Sequence, residues 1–318
     1  MTDAFTPLPG LIASREWGLF GPNTYALGVD IGGYGLRAVL ADMRGTHVVH
    51  RAADLRPGSN ATMVLEDAVA MVQSLLAEEQ MRPDHLVRIG VGFGGPVDAA
   101  QGITRRSYRM QGWENLNVRE HFEQAFDAMT LLENDASLIA FGEHMFGVGR
   151  DVRDLFYLHL SSGVGSGMVL DGQLHRGVTT SAGEIGHARI SGSSDREVEN
   201  LLSISGLLSR ASELGLATDD LEVLFADGAA GQKTIGEAVG MLGVGLAGIV
   251  QLLDPAMLVL GGIVVRKGGD PFCAAVEQQV NALISQTPPR RIPVVQSSLG
   301  YDAVAIGGLA LALHSLSQ

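Results

Sequence analysis

Residues 25–42 read YALGVDIGGYGLRAVLAD. The apolar run Ala26–Ile31 carries one carboxylate, Asp30, near its end and stops at Gly32-Gly33. A second run, Gly35–Asp42, follows at once, Arg44-Gly45 is a turn signal, and Thr46–Asp54 makes a third run. Short strand-like runs separated by glycine turns predict three antiparallel strands in a meander. Over 61–80 the apolar residues Val64, Ala68, Met71, Val72, Leu75 and Leu76 fall at helical spacing, with Ser59 or Asn60 as N-cap. Val87–Phe93 predicts a strand running into Gly94-Gly95-Pro96. A helix over 118–126, a strand over 129–132 and a helix over 136–146 follow.

The layout then returns. Leu155–Leu160 predicts a strand ending in a glycine-rich turn, Ser161 to Gly167, with strands over 168–171 and 173–176 after it. Later come a helix over 234–253, a strand over 257–260, a helix over 271–284, a strand over 292–296 and a last helix over 303–316. Two halves that each open on a glycine-turned meander predict an internal duplication. The expected fold is two similar α/β domains with mixed sheets, with a ligand site in the cleft between them. The expected division is an irregular extension over 1–24, a small domain over 25–134 completed by the C-terminal helix of 303–318, and a large domain over 135–302.

Composition narrows the function. The chain has 318 residues, 46% of them hydrophobic, and a net charge of −13. That apolar content supplies a core, and the acidic balance argues against a sequence-independent nucleic-acid binder. Cys273 is the only cysteine, so an internal disulfide, a zinc ribbon and a CxxC redox pair are excluded. The first ten residues lack a basic start and an apolar run, and no secretory signal is expected. The most apolar stretch, Met241 to Val265, is broken by Asp254-Pro255. It reads as a buried helix, a turn and a buried strand, and a cytoplasmic protein without a membrane span is expected.

Five places carry residues suited to chemistry. Asp30 with Gly32 and Gly33 makes either a phosphate-holding turn with a carboxylate beside it or a plain hairpin turn. Ser161 to Gly167 repeats that pattern in the second half. Leu260-Gly261-Gly262 suits a backbone that passes close to a nucleotide, or a tight helix–strand junction. In Glu133-Asn134-Asp135-Ala136, Asp135 is either a helix N-cap or a base that accepts a hydroxyl proton. In Ala182-Gly183-Glu184-Ile185-Gly186-His187, a carboxylate and an imidazole three residues apart offer acceptor and donor groups to a polyol.

Taken in order, these motifs resemble the ROK family of bacterial sugar kinases and repressors, within the actin and hexokinase superfamily of ribonuclease H-like folds. The resemblance runs from about Tyr25 to Leu313. Its most specific part is Arg176-Gly177 through Gly186-His187, supported by Gly94-Gly95-Pro96-Val97, Gly112-Trp113 and Asp254-Pro255. It implies an ATP-dependent kinase of a sugar or sugar-like polyol. Asp135 would be the general base. Asn134, Glu184 and His187 would hydrogen-bond the sugar, beside the backbone of Gly94 and Gly95. Gly32 and Gly33, with Ser162, Gly163 and Gly165, would hold the ATP phosphates, and Gly261 and Gly262 would pass the adenosine. Mg²⁺ would come with ATP, near Asp30. Family habit adds a homodimer.

The chain also departs from the family pattern. Family members carry a CxCGxxGC zinc cluster after the Gly-His pair, but residues 188–199 here contain no cysteine, and no structural zinc is expected. Glu199 aligns with a glutamate that touches the sugar. Tyr34 stands where the phosphate turn has Thr. Arg109 stands near a sugar-contacting Asn, and would suit an anionic substituent or a surface loop. These changes point away from an ordinary glucokinase toward an unusual sugar or cyclitol. A non-catalytic sugar sensor or scaffold is the competing reading. The transcriptional branch is disfavoured by the acidic charge and by an extension too short for a winged helix.

Overall fold

The computed structural model describes residues 8–13, 23–33, 35–107, 111–189, 197–226, 228–284 and 290–317. The first half contains α1 (Leu8–Ala13), β1 (Tyr25–Ile31), β2 (Gly35–Asp42), β3 (Val48–Asp54), α2 (Ala61–Glu78), β4 (Leu86–Phe93), β5 (Val97–Asp98), β6 (Ile103–Thr104), α3 (Val118–Phe126), β7 (Met129–Asn134) and α4 (Asp135–Phe146). The second contains β8 (Leu155–Leu160), β9 (Val164–Leu170), β10 (Gln173–Leu174), α5 (Glu199–Leu202), α6 (Ile204–Glu213), α7 (Glu222–Phe225), α8 (Ala229–Leu253), β11 (Met257–Gly261), α9 (Ile263–Leu283), β12 (Val294–Gln296) and α10 (Ala303–His314).

The chain forms two compact units. The first holds Met1–Arg150, Arg176–Ala182 and Ser298–Gln318; the second holds Asp151–His175 and Gly183–Ser297. The first sheet has the order β3-β2-β1-β4-β7, antiparallel through β1 and parallel beyond it. Alternation along β1 sends Leu27, Val29 and Ile31 into a core with α2 and α3, around Val64, Leu75 and Phe122. On the opposite face, Gly28, Gly90 and Gly92 leave the middle of β1 and β4 bare. A Cβ on Gly90 would lie 2.0 Å from the Gly308 carbonyl, and one on Gly28 1.8 Å from the Ala305 carbonyl. Only glycine lets the backbone of α10 rest directly on β1 and β4. Asn60 caps α2 by accepting from the Met63 amide.

The second sheet repeats the first, in the order β10-β9-β8-β11-β12, with the same change from antiparallel to parallel at its third strand. Its core takes Ala238, Leu242, Leu246 and Val250 from α8, spaced four apart as one helical stripe. By length and composition α8 is the one helix among the described residues that is long and apolar enough to cross a membrane. One stripe of it is buried in this core, while Val244 and Leu252 on its other faces are exposed. α8 stops at Asp254, in the left-handed region at φ 50°, before Pro255. On α9, Asn281 bonds both the amide and the carbonyl of Ile292, and Glu277 accepts the Val294 amide. The open edge of β12 is thereby occupied by side chains from its own unit.

Some elements differ from expectation. Part of the extension over 1–24 is helical: Leu8 and Ile12, one helical turn apart, are 1% and 0% exposed. Residues 135–150 belong with the first unit, so that unit extends past 134. The reason is α4, whose backbone meets α10 closely where Gly307 lies against the Leu138 carbonyl. α9 begins at Ile263 and not at Pro271, with a kink at Gly269 that admits the proline. Helices α5, α6 and α7 add to the expected elements; α5 and α7 have four residues each, while α6 carries Ile204, Leu207, Leu208 and Ala211 at helical spacing.

Candidate functional site

In the first unit the site is built at the strand ends. Asp30 pairs in register with Arg37 of β2, so the two side chains share one face of the sheet. The turn is closed by the Gly32 amide bonding the Gly35 carbonyl at 3.1 Å, and a Cβ on Gly32 would be 3.4 Å from both Asp30 carboxylate oxygens. Arg37 donates from Nη1 to Asp302 at 3.1 Å, and His50 Nδ1 meets the other Asp302 oxygen at 2.8 Å. These partners hold the Asp302 carboxyl below the usual carboxylate range, His50 contributing most. Asp30 goes the other way. Burial first, then the Asp135 charge, push its pKa up to about 8 against the pull of Arg37.

Asp135 opens α4, at the end of β7. The helix cap is its neighbour: Asn134 accepts from the Ser137 amide at 3.1 Å and donates through Nδ2 to the Gly95 carbonyl at 3.2 Å. Asp135 Oδ1 accepts the Ala136 amide at 2.7 Å, and a Cβ on Gly94 would lie 3.4 Å from its Oδ2. Gly94, Gly95, Asn134 and Asp135 are therefore brought together, because β4 and β7 are parallel neighbours.

In the second unit the turn after β8 is tight, closed by the Ser161 amide to the Gly163 carbonyl at 3.0 Å. Val164-Gly165-Ser166-Gly167, expected as turn, is instead the start of β9. The Val164 amide donates to Glu199 Oε2 at 2.9 Å. Ser166 donates to the Gly183 carbonyl from its amide at 3.1 Å and from its hydroxyl at 2.8 Å. Gly183 sits at φ 99°, and a Cβ there would lie 2.3 Å from the Ser166 carbonyl. This close pairing sets Glu184 beside His187, 3.9 Å away, while His187 Nδ1 meets Glu197 at 3.0 Å. Burial raises the Glu184 pKa, His187 opposes the rise, and Glu199 adds to it, so the three groups share one field. Ser162 and Gly163 are half-buried in the turn. Gly261 and Gly262 are buried; Gly262, at φ 94°, lies against the Leu160 carbonyl of β8, where a Cβ would be 2.1 Å away.

Tyr34 and Arg109 lie outside the described residues. Among the described residues no group of three or more His, Cys, Asp and Glu is arranged to hold a metal ion. Arg37, Asp302 and Glu197 join these residues as site neighbours that no sequence motif marks. Strand alternation in β2 was the signal for Arg37; nothing local announced the other two.

Two mixed sheets of the same strand order define the actin-like class of α/β proteins. The ROK family profile matches residues 26–315, and the chain belongs to the ROK family. It is 31% identical to the bifunctional enzyme NanE/NanK of Brucella melitensis biotype 1 over 92% of its length, and spans about half, 54%, of that protein. It is 25% identical to a xylose repressor of Caldicellulosiruptor bescii, covering 91% of this chain and 78% of the repressor. The solved ROK hexokinase of Thermus thermophilus superposes with a TM-score of 0.80 at 25% identity, over 92% of this chain and 99% of the hexokinase.

Proposed function

We propose that the chain is an ATP-dependent kinase that phosphorylates a hydroxyl of a sugar or sugar-like polyol. The observation that carries this reading is at α4. Asn134 does the capping, accepting the Ser137 amide, and the Asp135 carboxylate, which takes the Ala136 amide on Oδ1, lies with Oδ2 beside Gly94 at the strand end. In this reading Asp135 takes the proton of the attacked hydroxyl, and Asn134 and the Gly94-Gly95 backbone orient the sugar. Glu184, His187 and Glu199 supply further acceptors and a donor to its hydroxyls, with Arg109 reserved for a substituent. Gly32, Gly33 and Tyr34, with Ser162, Gly163 and Gly165, hold the phosphates, and Gly261 and Gly262 lie near the adenosine.

Asp30 and Asp135 repel one another, an excess of negative charge that fits a cation. Asp30 would hold Mg²⁺, which when bound with ATP neutralises charge on the phosphates. No zinc, a cytoplasmic location and a homodimer belong to the same proposal. The repressor relatives favour one other reading, a sugar sensor without catalysis.

The experiment is an ADP-release screen with ATP and Mg²⁺ over hexoses, N-acetylated amino sugars, cyclitols and sugar acids, run on the wild type and on Asp135→Asn. Turnover of one polyol that falls roughly 10²–10⁴-fold in the variant is the expected result. Sugar binding by calorimetry with no turnover on any member would favour the sensor and sink the kinase.

A further inference from the structure

Residues Arg176–Ala182 belong to the first unit, although the chain on either side of them belongs to the second. Two side chains tie this short strap down. Arg176 Nε donates to Glu133 Oε2 at 2.5 Å, and the Thr180 hydroxyl donates to the Val97 carbonyl at 2.7 Å. Glu133 is the residue before Asn134-Asp135, and Val97 follows Gly94-Gly95-Pro96. The strap therefore grips both segments that carry the first unit's candidate residues. Thr180 is held at φ 58°, a strained conformation for a β-branched residue, and its hydroxyl bond to Val97 keeps it there.

The Arg176 pair is asymmetric. The Glu133 side chain is 2% exposed, whereas Arg176 is 39% exposed. The second Glu133 oxygen, Oε1, accepts the Asn134 backbone amide at 3.0 Å. A carboxyl group this deep is costly to bury without partners, and these two bonds supply them. Arg176 supplies the charge, Glu133 transmits it to the Asn134 amide, and that amide immediately precedes the general base.

We propose that Arg176 is a positioning residue for phosphoryl transfer. It acts through Glu133 to fix the Asn134-Asp135 peptide and, with it, the direction of the Asp135 carboxylate. The assignment rests on the kinase reading of Asp135. Misplacing a catalytic group by about 1 Å costs on the order of 100-fold in rate. The effect falls on kcat, because Arg176 acts through Glu133 on the base.

The test compares Arg176→Met, Arg176→Lys, Glu133→Gln and the double variant Arg176→Met/Glu133→Gln, with the polyol turned over in the screen above. Arg176→Met lowers kcat roughly 10–100-fold with KM for ATP within about twofold of wild type. Arg176→Lys recovers part of the loss. The double variant, with a neutral Gln still accepting from Asn134, is more active than Arg176→Met alone, a non-additivity that a purely structural role does not produce. The fraction folded, from thermal melts at the assay temperature, corrects each rate. Turnover in wild type with corrected kcat unchanged in Arg176→Met overturns the positioning role and leaves the kinase standing. No turnover in the wild type on any polyol overturns the kinase reading and this assignment with it.

Discussion

Glu143, wholly buried in α4, accepts the Ser298 backbone amide at 2.7 Å across 155 residues of chain. The same carboxylate takes the Ser298 hydroxyl at 3.1 Å, the Leu299 amide at 3.2 Å and the Val148 amide at 2.9 Å. Val148 and Ser298 stand next to two places where the chain passes from one compact unit to the other. One carboxylate thus pins both passages on the first unit's side. Removing it in Glu143→Ala strands several buried donors, each costing about 1–3 kcal/mol, and a total loss of roughly 3–5 kcal/mol is expected. Glu143→Gln keeps one acceptor and loses about half as much. Urea melts of the two variants check this; equal midpoints for Ala and wild type would refute it.

The glycine-lined face of the first sheet makes a second prediction. A Cβ on Gly90 meets the Gly308 carbonyl at 2.0 Å, and that neighbour is backbone, with no rotamer to turn aside. Gly90→Ala has to push α10 off β4, which costs about 3 kcal/mol or more. By contrast Gly240→Ala, on α8 where a Cβ meets nothing within 4 Å, stabilises by up to about 1 kcal/mol, because alanine is the better helix former. Thermal melts of the pair separate the two. Like-signed shifts would contradict the close approach of α10.

The legible part of the fold follows from the same glycines. Apolar runs that stop at a glycine turn, Gly32-Gly33 after β1, Gly45 after β2, Gly94-Gly95 after β4 and Gly163 after β8, announce strand and turn locally, so these strands and the duplication are readable from one dimension. The grouping of Gly94 with Asn134 and Asp135 is readable too, since adjacent parallel strands bring their ends together. What was not legible acts over distance. Arg176 reaches Glu133 over 43 residues and Glu143 reaches Ser298 over 155, and nothing near Arg176 or Glu143 names its partner. Of the helices of 199–225, α5 and α7 are four residues each, too short to show a period and dependent on packing, whereas the spacing of Ile204, Leu207, Leu208 and Ala211 in α6 is a local signal.

Glu184 gives a pH dependence to the proposed sugar contact. Burial and the Glu199 charge raise its pKa above the ordinary glutamate value, against His187. An ionised carboxylate accepts from hydroxyls more strongly than its protonated form, which trades an acceptor for a donor, so acidification weakens sugar binding at a higher pH than it would with an ordinary glutamate. Calorimetry from pH 8 to pH 5 should show affinity for the polyol falling as the pH drops. Glu184→Gln should bind about tenfold more weakly at pH 8 and show a flatter profile, since its amide does not titrate. A wild-type affinity independent of pH, with Glu184→Gln unaffected, removes Glu184 from the sugar contact.

Asp30 sets stability against the proposed function. Its pKa, 3.8 in an ordinary setting, stands near 8 in the folded chain, because burial and the Asp135 charge disfavour the carboxylate. Between those values the folded chain keeps a proton that the unfolded chain releases. The stability linked to this group is therefore full below about pH 4 and is lost as the pH rises toward 8. Asp30→Asn has nothing to ionise, so it should gain on the wild type across that window, by ~2–4 kcal/mol at pH 8 and little at pH 4. Mg²⁺ with ATP should raise the wild-type melting temperature at pH 8 by more than that of Asp30→Asn, which keeps the nucleotide contacts and loses the cation's, while turnover in the variant falls by at least about 100-fold. Thermal melts at pH 4, 6 and 8, with and without Mg²⁺ and ATP, test both halves. An Asp30→Asn protein less stable than wild type at pH 8 in the absence of Mg²⁺ means that Arg37 outweighs burial and Asp135. Asp30 would then be a structural partner of Arg37 and not a carboxylate held in reserve for a cation.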